Sequence, residues 1–403
     1  MVLRSFRFAL FAAFAVLIIL HATSAISGAL PAQSTPSAKS NKLPRPHPLG
    51  RGGSLERDPV TGELHSSAKE SSSNPADTAG SGAIRSHVTL VQVACTVAAP
   101  DGTQVRGLTQ DNFHIFEDGA AQEIASFDAS ATPASIALVL DVSPSIFHEL
   151  EEMRGAAHSL AANLSPADEI AVVSFSSEAH LLLPFSTDRA LLDRAIQSKN
   201  LGKVENSSES NIYESVFLSA RELFRGRSGR KAIVLLTDGQ DSGLGLAWDA
   251  SSAQPHEGAT SSQLAFDDVA RELGADGIAL FIVSTENRPR AMTAAWLEAH
   301  SNEMLVNKNS QREQMPHYTL YLAELARRVG GQLYFLREIG NLGEIYRRIA
   351  LTISSQYTLG YYPAAGTVRP GWRSLRVELS ADAKVPPGSR LMHRSSYYVS
   401  AFP

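Results

Sequence analysis

The sequence predicts an α/β fold: a doubly wound, mostly parallel sheet with a smaller antiparallel β-module built from the flanking segments. Three observations carry this. Continuous aliphatic runs such as Ser135–Leu140 and Ala232–Leu236 recur through the middle of the chain, and such runs mark strands buried on both faces. Helical patterns alternate with them, as the crossovers of a parallel sheet require. Both flanks instead show period-2 alternation, at Val91–Val97 and Leu375–Leu379, the pattern of half-buried strands.

Residues 1–25 read as an export signal. Arg4 and Arg7 form a positive start, and an apolar run follows from Phe8 to Leu20, shorter than the roughly 20 residues of a membrane span. Thr23 and Ala25 then supply the small −3/−1 pair of a cleavage site. The expected destination is the periplasm, the cell envelope or the medium. An uncleaved signal anchor is the alternative, and the one route by which the chain would meet a membrane. Residues 26–84 are dense in Ser, Pro, Gly, Ala and Asn, and read as a disordered linker that buries too little to offset its ordering entropy.

Residues 85–131 form the first part of the β-module. Val91, Val93, Cys95 and Val97 share one face, Asp101-Gly102 supplies a hairpin turn, and a second hairpin turns at Asp118-Gly119. Residues 132–355 form the α/β domain. Its strands fall at 135–140, 169–175, 180–185, 231–237, 277–283 and 331–336, with helices at about 148–163, 189–196, 212–224, 263–273 and 320–330. Leu342, Ile345, Ile349 and Ile353 mark the inner face of a closing helix. Residues 356–403 return to strands, which are expected to pair with those of 85–131 because no helices remain to cover them.

Composition narrows the function. Lys and Arg number 36 against 41 Asp and Glu, a formal net charge of −5, so no global basic field draws the chain to nucleic acid. The single cysteine, Cys95, excludes an intrachain disulfide framework and a cysteine-based metal cluster. No GxSxG elbow, Walker A loop or HExxH helix is present, so the common hydrolase motifs are missing. The expectation is a protein that is not an enzyme.

The chemistry gathers at two strand ends. The first buried strand runs into Asp141-Val142-Ser143-Pro144-Ser145, and the fourth runs into Asp238-Gly239. Both aspartates therefore follow the carboxyl ends of parallel strands, the edge where open α/β sheets place ligands. Ser210 stands just ahead of a helix between them, with Ser207 and Ser208 as neighbouring alternatives. Two carboxylates and three hydroxyls make an oxygen-only set, which suits a hard cation such as Mg²⁺, with Mn²⁺ or Ca²⁺ as alternatives, rather than zinc or copper. The competing reading is structural: Asp141 caps the next helix and Asp238 serves its turn.

Asp141-x-Ser143-x-Ser145, a hydroxyl before the third helix and Asp238-Gly239 resemble the metal-ion-dependent adhesion site of the von Willebrand factor A-type family, whose domain is Rossmann-like. The resemblance spans roughly 135–355. The flanking VxGLTxDxFxIxEDG at Val105–Gly119 and YxLGYYP at Tyr357–Pro363 are similar to the acidobacterial-type branch. The resemblance implies that Ser143, Ser145 and Ser210 contact Mg²⁺ directly, while Asp141 and Asp238 bind it directly or through water. It also implies a protein partner that offers an Asp or Glu carboxylate to the open position. Serine at 210 departs from the usual threonine, and the stretch 286–318 lengthens the connection after the fifth strand, either shaping partner choice or as a passive insertion. A structural envelope protein with a vestigial site and a Mg²⁺-dependent hydrolase are the alternative readings.

Overall fold

The computed structural model describes residues 43–52, 55–57, 64–66, 90–129, 132–144, 146, 150–197, 201, 209–243, 246–249, 254–257, 264–285, 317–364 and 370–399. The export-signal expectation, Ser145 and most of the 286–318 stretch lie outside these residues. Among the described residues no helix is long and apolar enough to cross a membrane.

The first described segment corrects the expectation of a disordered linker over 26–84. β1 (His47–Pro48) pairs antiparallel with Leu181 and His180 at the edge of the main sheet, and a 3₁₀ turn follows at Leu49–Gly52. β2 (Leu55–Arg57) and β3 (Leu64–Ser66) then form a short ribbon. Leu49, Leu55 and Leu64 are buried in the same core as Phe217, Leu218 and Phe266. Polar contacts fasten the segment further. The Gly50 amide donates to Glu222 Oε1 at 2.6 Å, and Arg57 forks onto the carboxylate of Asp268. The leucines stand singly among prolines, glycines and charged residues, so no periodicity announces them. Burying one leucine side chain is worth about 1.5–3 kcal/mol, and three of them explain how a segment without periodic pattern stays attached. Leu64→Ala is therefore expected to lower the unfolding free energy by about 2–3 kcal/mol. It should also speed hydrogen exchange at 47–57 while leaving the central strands protected. Unchanged exchange there would contradict the attachment.

β4 (Val91–Ala98) opens the β-module with alternating burial. The Asp101-Gly102 turn forms, with the Gly102 amide bonded to Ala99 O at 2.9 Å, but a single bridge, Ala98 to Gln104, replaces the expected return strand. β5 (Phe113–Glu117) and β6 (Ala120–Gln122) form the second hairpin. Asp118 and Gly119 have φ of 48° and 83°, the left-handed pair of a tight hairpin turn. The rest of that segment departs from expectation. β7 (Ile124–Asp128) leaves this hairpin and pairs in a different sheet, so the chain crosses between sheets at Glu123.

The α/β unit follows. β8 (Ala134–Asp141) is buried along its whole length. It is followed by α1 (Leu150–Ala162), β9 (Glu169–Phe175), β10 (Ala179–Ser186), α2 (Arg189–Ala195), α3 (Ile212–Leu223) and β11 (Arg230–Thr237). A small antiparallel pair, β12 (Leu246–Asp249) and β13 (Gln254–Glu257), occupies part of the loop after β11. Then come α4 (Phe266–Ala275), β14 (Ile278–Ser284), α5 (His317–Val329), β15 (Gln332–Phe335), α6 (Leu336–Ile339) and α7 (Leu342–Ser354). The seven-stranded sheet has the order β1-β10-β9-β8-β11-β14-β15. The pairings from β9 through β15 are parallel, and β10 runs antiparallel to β9. One face packs residues of α3, α4 and α5, and the other packs α1, α2 and α7. The sheet is doubly wound, as the alternation predicts.

The chain closes with β16 (Tyr357–Tyr361), β17 (Gly371–Leu379), β18 (Arg390–His393) and β19 (Ser396–Val399). β16 pairs with both β4 and β7, and β17 pairs with β5. The result is two four-stranded sheets, β18-β4-β16-β7 and β19-β17-β5-β6, around one core that includes Val93, Cys95, Ile115, Leu359 and Val377. The antiparallel module is a small sandwich drawn from both flanks of the α/β unit.

Candidate metal site

β8 and β11 lie side by side with Leu140 opposite Leu236, so Asp141 and Thr237 arrive together at the carboxyl edge of the sheet. Asp141 is fully buried, and its carboxylate gathers the site. Oδ1 accepts the Ser143 amide at 2.9 Å. Oδ2 accepts the Ser210 hydroxyl at 3.0 Å and the Thr237 hydroxyl at 2.7 Å. The donors come from three separate stretches of chain, which is why the carboxylate acts as their common anchor.

Ser210 is held by its neighbours on both sides. Its carbonyl accepts the Ser242 amide at 2.7 Å, and its own amide donates to Ser242 Oγ at 3.2 Å. Next in sequence, Asn211 is tied to the β9–β10 turn through Ser176 O at 2.8 Å and Ser177 O at 2.7 Å. Asn211 makes no side-chain cap for α3. The cap comes from another loop: Asp241 Oδ1 accepts the Ile212 amide at 2.8 Å, a carboxylate placed where the helix dipole favours one. Asp238 bends into its own turn, with Oδ1 accepting the Gln240 amide at 2.9 Å. Gly239 has a φ of 92°, a left-handed backbone that favours glycine.

The structure thus joins Asp141, Ser143 and Ser210 by hydrogen bonds, and Asp238 follows Thr237 at the end of the adjoining strand. Ser145, Ser207 and Ser208 lie outside the described residues. Sequence reasoning passed over Thr237 and Asp241. Thr237 had one legible signal, its position as the last residue of a buried strand beside Asp238. Asp241 had none, because it acts on a helix far away in sequence.

Burial holds the Asp141 carboxyl above its ordinary pKa. The bonds from Ser143 and Thr237 pull against that rise, and the charge of Asp238 adds to it. Among the described residues, neither aspartate is in an ion pair. Among the described residues, two buried carboxylates with hydroxyl neighbours and no ion-pair partner are a donor set that fits a hard dication.

This charge state has a pH signature. The folded pKa of Asp141 lies above the unfolded one, so the native state holds that proton more tightly. The stability from this group is present at low pH and is lost as pH rises through the folded value. In metal-free protein, the unfolding free energy of wild type minus that of Asp141→Asn should therefore rise as pH falls through the folded pKa of Asp141 toward the ordinary carboxylate value. Saturating Mg²⁺ should reverse the trend, because protons then compete with the ion. A difference that does not change with pH would contradict the assignment.

Residues 136–240 match the family model described as von Willebrand factor type A domain. No curated protein matches the chain in sequence. Among solved structures, the chain is similar to an aerotolerance-related membrane protein from Bacteroides fragilis, at 18% identity and a TM-score of 0.37, covering 55% of this chain and 98% of that one. It is also similar to proximal thread matrix protein 1 of the mussel byssus, solved with a zinc-occupied MIDAS motif. There the identity is 16% and the TM-score 0.36, over 59% of this chain and 49% of that one. A von Willebrand factor type A protein from Catenulispora acidiphila matches at 11% identity and a TM-score of 0.36, over 78% of this chain and 74% of that one.

Proposed function

Because the chain carries a von Willebrand factor type A domain, we propose that it is an exported, non-enzymatic binding protein that captures an acidic group of a protein partner through a resident dication, Mg²⁺ by preference. The observation that carries this reading is the Asp141 carboxylate, buried and receiving hydroxyls from Ser210 and Thr237. Asp141, Ser143, Ser210 and Asp238 would hold the ion, together with Ser145. The bound ion would supply an electrophilic corner for a partner's carboxylate.

The protein residues have definite tasks in this reading. Asp141 accepts the hydrogen bond of the Ser210 hydroxyl, which leaves the serine oxygen's lone pairs free to face a cation. Two carboxylates neutralise a dication and the hydroxyls add no charge, so an outside acid remains attractive. An all-oxygen donor set favours Mg²⁺, Mn²⁺ or Ca²⁺ over zinc. Export is supported by Arg4, Arg7 and the Phe8–Leu20 run.

The test is retention of partners from an envelope extract, run with Mg²⁺, with EDTA and with Asp141→Ala, each protein first shown to be folded by its melting curve. A partner held in Mg²⁺, released by EDTA and missed by the variant is the expected result. The same partners retained in all three would contradict it.

A further inference from the structure

Thr237 is fully buried and closes β11 directly before Asp238. A threonine hydroxyl offers one proton and two acceptor positions, and here it is bonded in both capacities. The proton goes to Asp141 Oδ2 at 2.7 Å, and the oxygen accepts the Gly239 amide at 3.0 Å. The Thr237 backbone is fixed as well, its carbonyl accepting the Thr285 amide at 3.1 Å from the end of β14. One hydroxyl therefore ties the end of β8 to the turn after β11. That turn carries Asp238, whose own carboxylate is oriented through the Gln240 amide.

We propose that Thr237 is a positioning residue of the metal site, its hydroxyl holding the Asp141 carboxylate and the Asp238 turn in one fixed arrangement so that an ion meets a preformed pair. The inference rests on the reading of this cluster as a dication site. In this role Thr237 is not a ligand: its hydroxyl proton is engaged by Asp141 and one of its two acceptor positions by the Gly239 amide. It acts through its neighbours, as outer-shell partners of metal ligands commonly do.

Thr237→Val keeps the branched shape and removes both hydrogen bonds, whereas Thr237→Ser keeps the hydroxyl. Mn²⁺ affinity, read from the electron paramagnetic resonance signal of the free ion, is measured on full-length wild type and both variants, with melting curves as the control for folding. The expected result is a 10- to 100-fold loss of Mn²⁺ affinity in Thr237→Val and near wild-type affinity in Thr237→Ser. A purely structural threonine would lower the melting temperature without moving the affinity of the folded protein. Wild type that binds Mn²⁺ beside a Thr237→Val that binds it equally well overturns the positioning role and leaves the metal site standing. Wild type that fails to bind removes the metal site and this role with it. Should Thr237→Val not fold, Thr237→Cys keeps a small side chain with only a weak donor. Its affinity must then fall below that of Thr237→Ser, and equality would overturn the proposal.

Discussion

Asp141→Asn is expected to abolish divalent-cation binding while leaving the metal-free protein at least as stable as wild type. The two effects have opposite signs because one carboxylate causes both. Asp141 is fully buried and disfavoured in its charged form by burial and by Asp238. Asparagine keeps an oxygen for the Ser143 amide and turns an amide group toward the Ser210 and Thr237 hydroxyls, which can accept from it. The contacts keep their partners with the direction reversed, and the charge is gone. Without that charge a dication would face a single carboxylate, and affinity should fall by 100-fold or more. In wild type, Mg²⁺ at about 100 times its dissociation constant should add about 2.7 kcal/mol to the unfolding free energy. The variant should show none of this. A Mg²⁺-dependent rise in melting temperature that survives Asp141→Asn would contradict the role given to this residue.

The second large effect lies away from the site. Arg394→Met should cost about 1–3 kcal/mol of stability. Arg394 is buried and joins the sandwich to the α/β unit: Nη1 donates to Gly274 O at the end of α4, at 3.0 Å, and Nη2 donates to Gln92 O in β4, at 2.6 Å. Its guanidinium lies 5.4 Å from the centre of the Tyr397 ring. Burial pulls its pKa down to about 10, so it remains charged at neutral pH. Beyond it, Tyr361 and Tyr397 donate to Glu117 Oε2 at 2.6 and 3.1 Å, a polar lock between the two sheets. Methionine keeps the length of the side chain and deletes every donor, leaving two carbonyls without this partner. Calorimetry should show a lower melting temperature and a separation of the sandwich and α/β transitions. A loss below about 1 kcal/mol would mean that other contacts hold the two parts together.

Much of this architecture was legible because its signals are local. The runs that became β8, β11 and β14 are aliphatic throughout, so buried parallel strands follow from composition alone. Alternation at Val91–Val97 and Leu375–Leu379 likewise announced the sandwich, although not that it has two sheets. What stayed hidden depends on distant contacts. Leu49, Leu55 and Leu64 carry no period, and only the surface of α3 and α4 gives them a place. The crossing of β7 into another sheet is decided by its pairing with Tyr357–Tyr361, far along the chain. At the site, Asp141, Ser143 and Asp238 could be marked from strand ends. Ser210 could be marked only as one hydroxyl among three. Thr237 and Asp241 gain their roles from bonds to Asp141 and to the start of α3, which no local pattern encodes.

The most direct test is a crystal of the full chain soaked in Mn²⁺ and read by anomalous scattering. The account predicts one strong peak among the oxygens of Asp141, Ser143, Ser210 and Asp238, absent from Asp141→Asn crystals grown and soaked in the same way. A well-ordered site with no peak there, or a peak that persists in the variant, would contradict it.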